Sequence, residues 1–185
     1  MKLYEKNPDR IEYNGREYVL NLSWYAVLMS IDIFSDDSIS GYIQVETALD
    51  NLVKGKHPVD GGLLDAIFSL IFPDKQNSDT PVIDFEQDKP LIIAAFQQAY
   101  NIDLCKSDMH WVHFHDLLSS IPRETKLAEI IDIRQRPIPE PTKYNAAERA
   151  ALIAAKARVA IKHEGGFEKS LMNLYKKLES QAKGG

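Results

Sequence analysis

The sequence contains a single cysteine, Cys105, among its 185 residues. A lone cysteine excludes an intrachain disulfide framework, which is how many small secreted domains are stabilised. No segment approaches the roughly 20 consecutive apolar residues of a membrane-spanning helix. The N-terminal residues 1–15 also lack the apolar run of a signal peptide. These absences predict an intracellular protein in a reducing compartment.

Motifs that mark several catalytic and nucleotide-binding classes are also absent. The sequence has no GxSxG nucleophile elbow, no phosphate-binding loop, no GxGxxG fingerprint and no HExxH zinc-protease motif. Gly61 and Gly62 are expected to flank a helix, and the adjacent acids Asp36 and Asp37 to cap one. The sequence therefore carries no signature of the common hydrolase, nucleotide-binding or zinc-protease classes.

Charge is distributed unevenly along the chain. Residues 143–185 carry nine Lys or Arg and four Asp or Glu, a net of +5, whereas residues 1–142 carry 13 basic and 23 acidic residues, a net of −10. A basic tail can mark contact with nucleic acid or a membrane. Alanines and acidic residues are interspersed among the basic residues of this tail, so its density of Lys and Arg is lower than that of an arm that binds nucleic acid. We expect a solvated helix and no nucleic-acid or membrane partner.

The remaining patterns predict a mainly α protein, a helical bundle with a small N-terminal β-hairpin and a C-terminal Ala-rich helical extension. Asn14-Gly15 lies between two alternating segments and suits a type I′ turn, with Ile11, Tyr13, Tyr18 and Leu20 on the buried face. Helical spacing follows, with expected caps at Ser23, Asp36–Ser40, Asp88 and Ser107. The expected buried positions are Trp24, Val27, Leu28, Ile31, Tyr42, Val45, Leu49, Leu52, Val53, Leu91, Ile92, Ala95, Phe96, Ala99, Leu127, Ile130 and Ile131.

Proline sets the predicted domain boundary. Residues 1–136 form the predicted helical domain with the hairpin, residues 137–141 a stiff Pro-rich linker, and residues 142–185 the helical extension. Asn145 and Glu148 have capping-box spacing at the start of an Ala-rich helix. After Gly165-Gly166, a shorter amphipathic helix is predicted through Phe167, Leu171, Leu174, Tyr175 and Leu178. The extension either packs on a partner or folds back on its own chain.

The segment from Tyr100 to Pro139 concentrates residues that could carry chemistry. On a helix, His110 and His113 share a face and His115 points about 140° away from His110; on a strand, only His113 and His115 share a face. No geometry gathers all three, although Asp103, Asp108 and Asp116 could supplement a metal site. Cys105 fits a small buried apolar residue better than a nucleophile. We therefore predict no catalytic, cofactor-binding or metal-ligating residues, and we assign Trp111, Phe114, Leu117 and Leu118 to the core.

The segment from Asp84 to Pro139 resembles the bacteriophage gene product 15 proteins of long-tailed phages and prophages. The residues that carry the resemblance are Asp84-Phe85, Ile93–Leu104, Met109-His110-Trp111, Phe114, Leu117-Leu118, Ile121-Pro122, Thr125–Leu127, Ile130-Ile131 and Ile133-Arg134. Val112 departs from the family, which often has a second aromatic residue there. Including the less specific N-terminal hairpin and the helix near Trp24, the resemblance extends to about residue 165.

The resemblance implies a late phage protein that is encoded near the tape-measure protein and acts without catalysis or cofactors. The implied role is a tail assembly chaperone in the cytoplasm of the bacterial host, with the tape-measure protein and/or the tail tube protein as partners. Homo-oligomerisation is left open. Two alternatives remain: a structural tail or connector component retained in the virion, and a metal-dependent enzyme that uses His110, His113 and nearby Asp residues.

Overall fold

The computed structural model of the chain describes residues 7–36, 38–72 and 82–162. Within these ranges, two strands, β1 (Arg10–Tyr13) and β2 (Arg16–Leu20), precede two helices, α1 (Trp24–Asp32) and α2 (Gly41–Leu52). Strand β3 (Val53–Lys54) and helix α3 (Gly61–Ile71) follow. The remaining helices are α4 (Lys89–Tyr100), α5 (Trp111–Ser119), α6 (Lys126–Gln135) and α7 (Ala146–Val159). The mainly α class with a small N-terminal sheet is confirmed.

The N-terminal hairpin forms where the Asn-Gly pair predicts it. Asn14 and Gly15 have φ values of 50° and 72°, as a type I′ turn requires. Strands β1 and β2 pair antiparallel with Tyr13 opposite Arg16. Tyr18 and Leu20 are buried, whereas Ile11 and Tyr13 are half-buried. The turn therefore sets the register that carries the apolar side chains of β2 into the core.

The third strand was not predicted. Val53 was assigned to the apolar face of a helix, but α2 ends at Leu52 because Val53 adopts extended backbone, with φ −112° and ψ 128°. Leu20 of β2 pairs with Val53, and a β-branched side chain suits that conformation. Tyr42 was also assigned to the buried face of this helix and is instead exposed.

The described chain divides into two compact units. The first contains described residues up to 72 together with residues 108–116, and the second contains residues 82–107 and 117–162. The core of the first unit is formed by apolar side chains of the sheet and helices, among them Leu20, Val27, Ile31, Leu49, Leu52, Leu64, Ile67, Phe68, Trp111 and Phe114. The core of the second is formed by Ile92, Ala95, Phe96, Leu104 and Leu127.

Helix α4 begins as predicted, after Asp88 and with Pro90 in its first turn. It ends at Asn101, whose φ of 55° places it in the left-handed region that often follows a helix. Helix α5 begins at Trp111, so the prediction that Ser107 caps it was wrong. The carbonyl of Leu22 accepts a hydrogen bond from the Trp111 N–H (2.7 Å), and this tertiary contact displaces the start of the helix.

The described residues include only the first part of the predicted C-terminal helical extension. Asn145 is the N-cap of α7, but its side chain accepts from the Thr142 N–H (2.8 Å) rather than from the helix. The capping box with Glu148 is therefore wrong, whereas the helix start is right. The helix predicted through residues 167–178 lies outside the described residues.

Within residues 7–36, 38–72 and 82–162, every helix is too short or too polar to cross a membrane.

Candidate functional site

Both ring nitrogens of His110 have a polar backbone partner. Its Nδ1 accepts a hydrogen bond from the Val112 N–H (3.2 Å), and its Nε2 lies 3.3 Å from the carbonyl oxygen of Pro8. Together these contacts fit a neutral imidazole that carries its proton on Nε2. The lone pair that a metal ion would need is engaged at the start of α5, so His110 has a structural role there.

The other two histidines lie on the exposed side of α5. His113 is exposed, and the Nδ1 atom of His115 is 3.9 Å from the nearest carboxylate oxygen of Asp116. In residues 7–36, 38–72 and 82–162, no group of three or more His, Cys, Asp or Glu side chains is placed to hold a metal ion. The exposed histidines flank a buried aromatic pair, as the helical spacing predicts.

Cys105 is exposed, which contradicts its assignment as a small buried apolar residue. It lies in a turn in which its N–H donates to the Asp103 side chain (3.1 Å). Leu104, one residue earlier, is only 2% exposed and takes the buried position of this turn. Lys106 donates to the other oxygen of Asp103 (2.9 Å), and this hydrogen bond lowers the pKa of the Asp103 carboxyl.

Trp111 and Phe114 are buried, and their assignment to the core is confirmed. The Phe114 ring stacks on Trp24 with a centroid distance of 5.1 Å, and Trp111 meets Phe72 edge to face at 5.5 Å. Aromatic pairs in these geometries add stabilisation beyond the burial of their area. Leu117 and Leu118 are half-buried. The apolar side of α5 therefore serves packing.

An unpredicted ion pair is buried in the second unit. Arg134 donates from two guanidinium nitrogens to the two carboxylate oxygens of Asp88, at 2.5 and 2.8 Å. The two side chains are 6% and 2% exposed. Arg134 also donates to the carbonyl oxygens of Val159 (2.7 Å) and Val82 (2.9 Å). This bidentate pair joins α4, α6, the end of α7 and the segment before α4.

The carboxylates around Arg134 are fixed by backbone N–H groups. Asp88 accepts from the Asp84 N–H (3.0 Å), and buried Asp84 accepts from the N–H groups of Glu86 (3.0 Å) and Gln87 (2.7 Å). Asp84 and Arg134 are both among the residues that carry the resemblance. Arg134 lies seven residues after Leu127 and on the same face of α6. This seven-residue spacing from buried Leu127 is the one sequence signal that could have placed Arg134 in the interior.

Helix α7 lies against α6, and hydrogen bonds are among the contacts that hold it there. Lys156 donates to the Arg134 carbonyl (2.6 Å), and Arg149 donates to the Pro139 carbonyl (3.1 Å). Gln87 donates to the Ala160 carbonyl (3.0 Å) and accepts from the Lys162 N–H (3.0 Å). No residue of α7 is fully buried. The Ala-rich helix therefore folds back on its own chain through hydrogen bonds to backbone atoms.

A groove of about 450 Å³ runs between α6, the Pro-rich segment and α7. Apolar side chains dominate its wall, and one basic and one acidic residue complete it; the lining residues are Ile133, Arg136, Pro137, Pro139, Glu148, Ala151, Leu152 and Ala155. Its walls bring together neither a nucleophile with a base nor a set of metal ligands. The mainly apolar lining of the groove suits contact with apolar groups.

The pKa of one tyrosine in the first unit, Tyr13, is raised above its ordinary value. Burial raises the pKa of Tyr13, and the negative charge of Asp60 raises it further. Asp60 caps α3 by accepting from the Gly62 N–H (2.7 Å). A Cβ at Gly62 would collide with the Tyr13 hydroxyl, so glycine permits this close approach. The arrangement fixes the hairpin against the start of α3.

Comparison with known proteins gives one match. The family model described as bacteriophage Gp15 protein matches residues 3–161. No curated protein and no solved structure matches the chain.

Proposed function

Since the chain belongs to the bacteriophage Gp15 protein family, we propose that this phage protein is a non-catalytic tail assembly protein. Its proposed role is that of a tail assembly chaperone, which binds the tape-measure protein and/or the tail tube protein before the tail is complete. The proposed place of action is the cytoplasm of the bacterial host.

Family membership is the observation that carries the proposal, and the exposed surface supports it. The structure leaves seven large apolar side chains exposed in the described part of the chain, at Tyr25, Met29, Tyr42, Ile43, Ile138, Tyr144 and Ile153. Four of them lie on α1 and α2. Exposed apolar side chains on helices suit reversible contact with another helix. A long tail protein that is waiting for assembly exposes apolar surface of this kind and needs temporary cover.

The domain organisation predicted from the prolines is part of the proposal. Residues 137–141 would join a body (1–136) to a C-terminal helical extension (142–185). Limited proteolysis tests this boundary, because a protease should cleave first within the exposed linker if the two parts are separate domains. First cleavage elsewhere would contradict it.

Co-expression tests the proposed function. The tagged protein would be produced with untagged tape-measure protein and, separately, with untagged tail tube protein from the same phage. We expect at least one of them to co-purify, and EDTA to leave the complex intact. Failure to capture either protein would contradict the proposal. Release of the partner by EDTA would instead support metal dependence.

Mass spectrometry of purified phage particles distinguishes a chaperone from a component of the virion. A chaperone leaves after assembly, so its peptides should be scarce in particles and abundant in infected cells. Recovery in a fixed ratio to the tail tube protein would favour a structural tail or connector component.

A further inference from the structure

Helices α1 and α2 present an outer surface that is both apolar and acidic. We define the acidic helix-pair face as the side chains Tyr25, Met29 and Asp32 of α1 and Tyr42, Ile43 and Glu46 of α2. Met29 is 57% exposed and Tyr42 is 60% exposed. Four large apolar side chains on one helix pair offer on the order of a few hundred Å² of apolar area, which is the scale of interaction sites.

The exposed positions follow the helix repeat. Tyr25, Met29 and Asp32 are four and three residues apart, so they form one stripe along α1, and the half-buried Leu28 adjoins it. Ile43 and Glu46 form the corresponding stripe on α2. The opposite sides of both helices are buried, through Val27 and Ile31 on α1 and Val45 and Leu49 on α2. Both stripes therefore face away from the core of the unit.

The two helices that carry these stripes contain charged side chains of one sign only. From Glu17 to Val53 the chain contains six Asp or Glu residues and no Lys, Arg or His. Asp50, at the end of α2, is partnered by the Nε2 atom of His57 at 3.1 Å. Within the described residues no ion pair engages Asp32 or Glu46. These two carboxylates are thus available to cations from outside the helix pair.

We propose that the acidic helix-pair face binds a Lys- or Arg-bearing amphipathic α-helix of a partner protein. This inference rests on the proposed function and specifies the surface used and the chemistry of its ligand. The apolar side of such a helix would cover Tyr25, Met29, Tyr42 and Ile43, and its cations would approach Asp32 and Glu46. A third helix can pack its side chains into the grooves of two neighbouring helices. Flexible methionine adapts to helices of different sequence, and the carboxylates reject acidic helices.

The test uses the full chain and a designed peptide, so it does not depend on the identity of the natural partner. The probe is an 18-residue amphipathic helix with Leu on one side and Lys on the other, labelled for fluorescence anisotropy. Its matched control carries Glu in place of Lys. We expect the Lys helix to bind at least tenfold more tightly than the Glu helix, and binding to weaken as salt is raised.

Variants locate the binding surface. Met29→Ser with Tyr42→Ser should reduce affinity at least tenfold, and Asp32→Asn with Glu46→Gln should reduce it several-fold and flatten the salt dependence. Two matched controls lie in the second unit: Tyr144→Ser with Ile153→Ser removes exposed apolar groups, and Glu124→Gln with Glu140→Gln removes exposed carboxylates. We expect near wild-type affinity from both. Circular dichroism verifies that each variant is folded.

Several results would overturn the inference. These are absence of binding by the folded wild type, equal binding of both peptides, and equal losses in the face variants and the controls. Self-association that the Met29→Ser/Tyr42→Ser variant abolishes would assign the face to a second copy. Tighter peptide binding after Lys176→Gln with Lys177→Gln would assign it to the chain's own C-terminal segment. Failure of tape-measure and tail tube proteins to co-purify, with peptide binding intact, would contradict only the proposed function.

Discussion

The α1–α2 pair and the α6–α7 pair both consist of neighbouring helices, but they differ in how deeply their side chains are buried. Buried side chains join α1 to α2, among them Val27, Ile31, Ala48 and Leu49. On α7 no residue is fully buried, and the Lys156 ammonium and the Arg134 guanidinium instead donate to backbone carbonyls. The apolar contact resists opening, whereas the polar contact can exchange its hydrogen bonds for water.

Some polar side chains of the α1–α2 pair are buried, and they too form hydrogen bonds to backbone carbonyls. Buried Gln44 donates to the carbonyls of Ile33 (3.0 Å) and Asp36 (2.9 Å), and buried Ser30 donates to Ala26 (2.8 Å). Because the Gln44 and Ser30 side chains are buried, these hydrogen bonds satisfy polar groups that the protein has removed from water, and they help to fix the geometry of the pair. Polar bonds at an exposed helix contribute less to stability than the same bonds in an interior.

The largest effect is expected at the buried ion pair. Arg134→Met would leave the Asp88 carboxylate buried without its partner, at a cost of about 3–5 kcal/mol in the free energy of unfolding. Urea denaturation followed by circular dichroism measures it. Arg136→Met, which removes an exposed pair with Asp132, is the control and should stay within about 0.5 kcal/mol of wild type. A loss below 1 kcal/mol for Arg134→Met would mean that the pair does not hold the second unit together.

A smaller loss is expected from the apolar contact in the first unit. Leu49 is 0% exposed, and Leu49→Ala should cost about 2–5 kcal/mol because the cavity it leaves closes only in part. Ile43→Ala, at an exposed position on the same helix, should be close to neutral in the same denaturation experiment. If both substitutions had equal effects, apolar burial would not explain the stability of α1–α2.

The next effect concerns a buried polar group. Gln44→Leu would remove the side-chain donor to the Ile33 carbonyl and one of the donors to the Asp36 carbonyl, which also accepts from the Ile39 N–H, so we expect a loss of about 1–3 kcal/mol. Thermal denaturation provides the measurement. Gln97→Leu removes an exposed amide from α4 as a control and should change the melting temperature little. A stabilised Gln44→Leu protein would show that apolar packing outweighs these two hydrogen bonds.

The smallest effect is expected on α7. Lys156→Met removes the donor to the Arg134 carbonyl and should cost no more than about 1 kcal/mol globally, since water can satisfy the freed oxygen. Hydrogen exchange should nevertheless show faster exchange of α7 amides than in wild type, with α2 amides unchanged. Arg158→Met, on the exposed side of α7, serves as the control. Unchanged α7 exchange in Lys156→Met would indicate that this helix is held by other contacts.

Local patterns predicted the local features of the fold. Asn14-Gly15 predicts the turn because both residues tolerate positive φ, and Asp88 with Pro90 predicts the start of α4. These signals lie within a few residues of the structure they determine. The buried position of Trp111 also follows from helical spacing.

Features that depend on distant partners were missed. Asp88 and Arg134 are 46 residues apart, and neither residue alone indicates a buried pair. Val53 continues an apolar helical pattern but pairs with Leu20, and the start of α5 is set by Leu22. Cys105 is small enough for an interior, but Leu104 takes that position. The spacing of apolar residues shows which side chains share one face of a helix. Contacts with distant parts of the chain determine whether that face is buried and which residues it contacts.

The return of residues 108–116 to the N-terminal unit has a consequence for synthesis. Trp24 donates to the Met109 carbonyl (3.0 Å), and Trp111 donates to the Leu22 carbonyl (2.7 Å). A growing chain cannot make these bonds until it reaches α5, and it must first produce residues 82–107, which belong to the other unit. At about 5–20 residues per second, several seconds separate the completion of α3 from the arrival of Trp111 and Phe114. Throughout that interval the nascent α1–α3 segment lacks two of its core aromatic residues, so it is during translation that this phage protein is itself most exposed to aggregation.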